Sequence, residues 1–306
     1  MNKHDNEIIK KVTKAVIPAA GLGTRILPAT KALPKEMLTI VDKPSLQYIV
    51  EELVISGITD IVIVTGRNKN LIEDHFDFSY ELENTLKNDN KLDLLEKVSH
   101  ISNMANIYYV RQKKPLGLGH AVSCAKSFVG DEPFLVLLGD DIIYTDKNKG
   151  ELPVSKQLVN RYEELQGMIL GVQKVPKNDV NKYGIIKSLN YIDDDTMEVE
   201  DFVEKPAIIE APSQFAVLGR YILEPEIFSY LENLKPGKNG EIQLTDGILA
   251  MMRDNEEVLA YNFIGKRYDI GSKFGLLKAN IEFGLRNEET KEDIKEYLKN
   301  LDIEKI

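Results

Sequence analysis

Residues 14–25 read KAVIPAAGLGTR: an apolar run from Lys14 to Ala19, then Ala20-Gly21-Leu22-Gly23-Thr24-Arg25. The run has the pattern of a buried strand. The loop after it can gather backbone N–H groups around an anion, because glycine lets the chain turn sharply and lets a ligand come close. Arg25 adds a planar cationic fork suited to phosphate, and Lys31 and Lys35 follow on the same segment. Two other glycine-rich loops do not match. A P-loop places Lys-Ser/Thr after its last glycine, which is absent here. The dinucleotide fingerprint has a third glycine where this chain has Ile26, which disfavours an NAD-dependent dehydrogenase. The same residues also fit a tight turn with a solvent-facing arginine, so the loop alone indicates phosphate at a strand end and names no reaction.

Outward from this loop the first half alternates strand and helix patterns. Leu46, Ile49, Val50, Leu53 and Val54 predict a helix over 45–56, with Gly57 as its stop. DIVIVT (60–65) is an uninterrupted β-branched run, the pattern of a strand buried on both faces. Residues 107–111 and 134–138 repeat it, with a helix predicted over 118–128 between them. Strands alternating with crossover helices imply an α/β fold with a mainly parallel sheet. Residues 66–106 form a charged insertion, predicted helical, with Leu82, Leu86, Leu92, Leu95 and Val98 as apolar anchors and read as a solvated cap on the sheet edge. In the second half, helices are predicted near 155–165, 226–234 and 242–253. Strands are predicted at 168–175, 184–188, 196–203, 215–221 and 258–264. The charged tail, 287–306, carries Ile294, Leu298 and Leu301 on one helix face. No internal repeat or Pro/Ser-rich linker interrupts the chain, which predicts one unit over 1–306 with a core of about 12–285.

Composition narrows the class. The chain has 306 residues, 43% hydrophobic and 29% charged, which is ordinary for a globular protein. A formal net charge of −10 argues against general nucleic-acid binding, which requires a basic surface, but leaves room for a local phosphate site. Cys124 is the only cysteine, so internal disulfides and multi-cysteine metal centres are ruled out; in AVSCAK it reads as a small packed hydrophobe. MNKHDNEIIKKV lacks the apolar stretch of a signal peptide, and no run approaches the ~20 apolar residues of a membrane span. The reading is a cytoplasmic protein with no membrane or nucleic-acid partner.

Three further segments carry chemistry. FLVLLGDD ends a buried strand in Asp140 and Asp141, which places two carboxylates at the carboxyl edge of the sheet, where open α/β sheets bind ligands. Mg²⁺ takes a few carboxylate oxygens there and completes its shell with phosphate and water. Asp269 in RYDIG is a second candidate ligand and equally fits a helix-capping aspartate. Glu204-Lys205-Pro206 sets a carboxylate for sugar hydroxyls beside a cation for phosphate, and by itself also fits a turn. Gln112 offers an amide that can match a base edge with one donor and one acceptor. His120 is read as orienting a helix or satisfying a backbone group rather than as a base.

Taken together, VIPAAGLGTRILPATKALPKEML, VDKPSLQYIVEE, IVTGRNKNLIEDHFD, GLGHAV, VLLGDD, YGII, FVEKP, GRYIL, GEIQLTD and RYDIGSK resemble, in order, the bacterial UTP–glucose-1-phosphate uridylyltransferase family over roughly residues 14–285. The resemblance implies a Rossmann-like nucleotidyltransferase fold, with a mixed, mainly parallel central sheet flanked by helices. It also implies Mg²⁺-assisted in-line attack of glucose 1-phosphate on UTP, giving UDP-glucose and pyrophosphate. The nucleotide would lie against Ala20, Gly21, Gly23, Thr24, Arg25, Lys35, Glu36, Gln112 and Gly117, with Ala20, Gly21, Glu36 and Gln112 at the uracil. Arg25, Lys35 and Lys205 would be catalytic, Gly184, Glu204 and Lys205 would hold the sugar phosphate, and Asp140 and Asp269 the metal. A homo-oligomer, dimer or tetramer, is expected. Thr39, Leu116 and Ile26 depart from the usual pattern, and none removes a proposed contact. A glucose-1-phosphate thymidylyltransferase shares the opening loop and EKP, and a non-catalytic sugar-nucleotide sensor would share the fold. The 66–106 insertion and GEIQLTD favour the uridylyl branch, and the retained phosphate and metal residues argue against a sensor.

Overall fold

Aliphatic and β-branched side chains fill both faces of the first-half strands, so helices must cover both sides of the sheet. The computed structural model describes residues 10–237, 240–254 and 256–305. Its strands begin with β1 (Lys14–Pro18), β2 (Thr39–Ile40), β3 (Lys43–Pro44), β4 (Asp60–Thr65), β5 (Asn106–Arg111), β6 (Phe134–Leu137) and β7 (Asp141–Tyr144). They continue with β8 (Met168–Lys174), β9 (Gly184–Tyr191), β10 (Thr196–Glu204), β11 (Phe215–Leu223), β12 (Val258–Asn262) and β13 (Lys266–Asp269). The helices are α1 (Ser45–Ile55), α2 (Asn70–Phe76), α3 (Tyr80–Asn88), α4 (Leu92–Asn103), α5 (Leu118–Ser123) and α6 (Lys126–Val129), then α7 (Val154–Leu165), α8 (Ile227–Asn233), α9 (Leu244–Arg253), α10 (Lys273–Gly284) and α11 (Lys291–Asn300).

The central sheet runs β5-β4-β1-β6-β11-β8-β12-β10-β9, and β2–β3 and β7–β13 form two small pairs. β5, β4, β1 and β6 are parallel, as are β8 and β12. β11 and β10 run against their neighbours, so only these two oppose the common direction. The sheet is therefore mixed and mainly parallel. In the parallel half Lys14 pairs with both Asp60 and Phe134, and Asp60 with Asn106. That alignment brings the carboxyl ends at Pro18, Thr65, Arg111 and Leu137 to one edge, the edge the sequence reading assigned to ligands.

Two apolar layers hold the helices. Leu46, Ile49, Val50 and Leu53 of α1 are all fully buried in one layer with Leu158 of α7 and Ala279 of α10. A fully buried side chain of this kind contributes about 1.5–3 kcal/mol. The other layer joins Val122 of α5, Val129 of α6, Phe228 of α8 and Ile248 of α9 to the opposite sheet face. Cys124 packs at its margin, and burial pushes the thiol up, in keeping with a structural role.

Some local expectations change. The helix predicted over 118–128 breaks into α5 and α6, where Cys124 and Ala125 donate to carbonyls three residues back (Cys124 N to Ala121 O at 3.2 Å, Ala125 N to Val122 O at 2.9 Å). In the insertion, Leu86 is buried, but Leu82 and Leu92 are exposed and α4 buries no residue fully. Ile72, Phe76 and Met104 anchor that region instead, because α2 and the chain entering β5 lie nearest the sheet. α11 likewise buries no residue fully. Among the described residues no helix is long and apolar enough to cross a membrane.

The deepest polar feature lies in β11. Its register shifts between Val217 and Tyr221, and Gly219 sits in the left-handed region at φ 68°. The next residue, Arg220, has no exposed surface. Its Nε and Nη2 donate to Glu52 Oε1 and Oε2 at 3.1 and 2.7 Å, and Nη2 also donates to Asp141 O at 2.9 Å. Glu52 Oε1 accepts Ser155 N and Oγ at 3.0 and 2.6 Å. One buried pair thus ties α1, α7 and β11 to the turn that carries the paired aspartates. Removing one partner strands the other charge, so Arg220→Met should lower unfolding stability by about 3–5 kcal/mol in urea titration; a loss below about 1 kcal/mol would refute this account of the core.

Candidate active site

The β1 loop lies open to solvent, with Gly21, Thr24 and Arg25 exposed. Gly23 adopts φ 66°, and its carbonyl accepts Thr30 Oγ1 at 2.7 Å, which folds the loop back over Lys35. Lys35 then reaches across to Asp140, donating to Oδ2 at 2.7 Å, with both side chains under a fifth exposed (18% and 17%). Lys31 is exposed and bonds none of these groups among the described residues.

Asp140 follows β6, and Asp269 ends β13. The small β7–β13 ladder, too short for a periodic signal, brings them together: Asp141 pairs with Asp269, and Ile270 N donates to Asp140 O at 3.1 Å. The Arg25 guanidinium spans both carboxylates, Nη2 to Asp140 Oδ2 at 3.1 Å and Nη1 to Asp269 Oδ2 at 3.5 Å. Burial raises the Asp140 carboxyl, but Lys35 and Arg25 outweigh it and hold Asp140 below the usual carboxylate range. Burial likewise works against the Lys35 ammonium, and Asp140 and Glu36 reverse that, so Lys35 lies above the ordinary lysine value. Asp269 does not cap the following helix; Ser272 does, accepting Gly275 N at 3.1 Å, while Asp269 Oδ1 accepts Gly271 N at 3.0 Å.

Two aspartates bridged by one cationic group fit the donor chemistry of a hard divalent ion, with the guanidinium standing in for it. Among the described residues no group of three or more His, Cys, Asp or Glu is placed to hold a metal ion by itself.

Gly184, Glu204 and Lys205 meet where β9 pairs with β10, Gly184 opposite Glu204. A Cβ at Gly184 would collide with the Phe202 ring, so glycine is required. Glu204 Oε2 accepts Thr245 Oγ1 at 3.1 Å, which explains the Thr in GEIQLTD. Lys205 holds φ 48°, strained for a side-chain-bearing residue, and its N donates to Tyr183 O at 3.0 Å. Its side chain is 63% exposed, with the ammonium 3.4 Å from Glu204 Oε1.

The nucleotide residues divide. Gln112 follows β5 at the same sheet edge, and its Nε2 donates to Gly117 O at 3.1 Å and contacts His120 Nδ1 at 2.9 Å. The amide therefore does not offer one donor and one acceptor to a base, as its type suggested, because its donors are engaged. His120 bonds this side chain rather than a backbone group. Glu36 is a clearer departure. It has no exposed surface, its Oε2 accepts Lys69 Nζ at 2.7 Å, and its Oε1 is buried without a partner. Burial pushes its carboxyl up. It lies under Gly139, beneath the loop rather than in the open site.

One neighbour of these carboxylates, Arg267, went unread in the sequence. Asp141 is buried and ion-paired with Arg267, whose Nη1 donates to Tyr183 Oη at 3.0 Å and whose guanidinium lies 4.9 Å from the Tyr183 ring centroid. Arg267 thereby links the aspartates to the strand that carries Gly184. Burial disfavours its charge, and Asp141 more than restores it. The only sequence signal was its place two residues before Asp269, on the same strand face.

Residues 14–284 match the nucleotidyl transferase family. A UTP–glucose-1-phosphate uridylyltransferase of Staphylococcus epidermidis is 54% identical over 295 residues, covering 96% of this chain and 100% of that protein. Among solved structures, a UTP-bound UGPase from Acinetobacter baumannii is 42% identical with TM-score 0.87, covering 95% of this chain and 100% of that one. A UDP-glucose pyrophosphorylase complexed with UDP-glucose is 43% identical with TM-score 0.81, covering 90% and 100%.

The loop at Gly117 provides a test of the site's backbone. Gly117 has φ 101°, and a Cβ there would stand 2.7 Å from Ile242 O. Gly117→Ala should cost about 1–3 kcal/mol in thermal unfolding, from the disfavoured backbone conformation and the clash; an unchanged melting temperature would show that the loop is looser than this packing implies.

Proposed function

The chain belongs to the nucleotidyl transferase family, and from that premise we infer that it transfers the uridylyl group of UTP to α-D-glucose 1-phosphate, releasing pyrophosphate and forming UDP-glucose. The observation that carries this reading is the meeting of Arg25, Lys35, Asp140 and Asp269 at the sheet edge, in a chain 54% identical to a uridylyltransferase over 295 residues. That identity favours the uridylyl branch over the thymidylyl one, and the complete set of charged groups favours an enzyme over a sensor.

In the proposed mechanism a phosphate oxygen of glucose 1-phosphate attacks the α-phosphorus of UTP. The bond from the α-phosphorus to the bridging oxygen breaks, and pyrophosphate leaves opposite the incoming oxygen. The nucleophile is already anionic, so no nucleophilic side chain with its own base is needed. Gly23 and Thr24 offer the open loop to the triphosphate, and Ala20, Gly21, Gln112 and Gly117 flank the base. Glu36 supports them from beneath. Arg25, 61% exposed, is free to exchange Asp140 and Asp269 for the β- and γ-phosphates, and Lys35 meets the same phosphates from its anchored place beside Asp140. Glu204 and Gly184 orient the sugar, and Lys205 neutralises its phosphate at the attack. Catalysis then rests on alignment and charge neutralisation. Asp140 and Asp269 would hold Mg²⁺, which supplies Lewis-acid neutralisation of the reacting phosphates.

The proposal includes a cytoplasmic homo-oligomer, dimer or tetramer. An apolar row on α10, Phe274, Leu277 and Ile281 (77%, 62% and 44% exposed), supports an assembled state.

The direct test measures pyrophosphate release with Mg²⁺ over a panel of nucleoside triphosphates and sugar 1-phosphates. UTP with glucose 1-phosphate should react and chelator should abolish the signal; no release from any pair would overturn the enzyme reading. Lys205→Ala should lower kcat about 10²–10³-fold, as loss of one transition-state contact does. Its melting temperature should stay unchanged because the side chain is 63% exposed. Near-normal turnover would remove Lys205 from the mechanism.

A further inference from the structure

The contact between Gln112 and His120 fixes which atom of the Gln112 amide is left free. A carbonyl oxygen only accepts, so the Gln112 atom 3.1 Å from Gly117 O must be the NH₂ group. Its second hydrogen points to His120 Nδ1 at 2.9 Å, which must then be the unprotonated nitrogen of a neutral ring. Both donors are used. Gln112 Oε1 has no bonded partner among the described residues, so the amide presents an acceptor alone.

The arrangement is rigidly mounted. Gly119 N donates to Ile242 O at 2.9 Å, and Ile242 N to Leu116 O at 2.7 Å, so the GEIQLTD segment clamps the turn that carries both partners. A flipped amide would set its oxygen against Gly117 O, two acceptors face to face.

We propose that His120 is a positioning residue for base selection: by accepting from Gln112 Nε2 it fixes the amide with its oxygen outward, so that the site admits a pyrimidine bearing an N3–H and disfavours cytosine. Uracil offers a donor at N3, whereas cytosine has a bare acceptor there, which would face Gln112 Oε1 lone pair to lone pair. The device does not separate uracil from thymine, whose N3 edge is the same. Without the His120 acceptor the second amide hydrogen is left without its partner, and the amide is free to turn. The proposal rests on the reading that Gln112 flanks the base.

Two near-isosteric variants test it in the full chain with Mg²⁺ and glucose 1-phosphate. His120→Asn returns an amide oxygen to the place of Nδ1, whereas His120→Gln carries its amide to the place of Nε2 and leaves that position empty. KM for UTP, the inhibition constant of CTP against UTP, kcat and KM for glucose 1-phosphate are measured for each. His120→Gln should raise KM for UTP about tenfold and shrink the UTP-over-CTP preference by a similar factor, the scale of one lost hydrogen bond. kcat and KM for glucose 1-phosphate should stay within about twofold, and His120→Asn should recover most of the loss. Gln112→Ala separates the two readings. If it raises KM for UTP while His120→Gln leaves the UTP-to-CTP preference intact, the His120 proposal fails and the base site stands. If Gln112→Ala changes nothing, the base reading fails and takes the proposal with it. Equal losses for His120→Asn and His120→Gln, across both substrates, would mark a purely structural histidine and overturn it.

Discussion

Three carboxylates at one sheet edge cannot stand together unless cations are placed among them. Two unit charges about 4 Å apart repel by about 4 kcal/mol at the effective dielectric of a protein surface. Asp140, Asp141 and Asp269 converge at the ends of β6, β7 and β13, and cations answer all three. Lys35 and Arg25 take Asp140, Arg25 also takes Asp269, and Arg267 takes Asp141. Beneath them Arg220 holds the Asp141 carbonyl and spends its remaining charge on Glu52. The loop after β1, the β11 bulge and the β7–β13 ladder all serve this arrangement.

The two paired aspartates are neighbours in sequence and opposites in role. Asp141 is 4% exposed and committed to arginines on both sides, so it holds the turn in place. Asp140 keeps its partners on the open side, where they are exchangeable. The same division separates the cations: Arg267 is fixed between Asp141 and Tyr183, whereas Arg25 is mostly in solvent. Because Tyr183 O also receives Lys205 N, the Arg267 contact mechanically joins the carboxylate cluster to the EKP turn. A geometry that must align two substrates depends on such a rigid link more than on any single charge.

How much of this was legible follows from sequence distance. The strand-to-loop transition at Ala19–Arg25, the buried run into Asp140 and the helical face of α1 are local patterns, and they appear where the sequence placed them. Glu52 with Arg220 and Asp141 with Arg267 lie far apart along the chain, and neither arginine sits in a periodic pattern that marks it as buried. β7 and β13 are four residues each, too short for alternation to signal. Glu36 shows a different limit: the resemblance placed it at the base, but 33 residues on, Lys69 provides the charge that lets it be buried. Gln112 and His120 are close in sequence, yet the feature that matters is which atom of each faces which, and that is set by the fixed position of Gly117 O.

Strain at Lys205 completes the picture. A lysine at φ 48° gives up conformational free energy that glycine would not, on the order of 1–3 kcal/mol. What the chain retains in exchange is an ammonium carried on a turn whose backbone is pinned to Tyr183 O at 3.0 Å, beside a glutamate itself held by Thr245. Glycine would relieve the backbone and remove the charge. The lysine side chain remains 63% exposed, so its ammonium can move while its origin stays fixed. Lys35 has the reverse design, with a relaxed backbone and its ammonium locked onto Asp140. Mobility is thus given to the cation proposed to meet the attacking phosphate and denied to the one anchoring the carboxylate, a division that charge counting alone would not reveal.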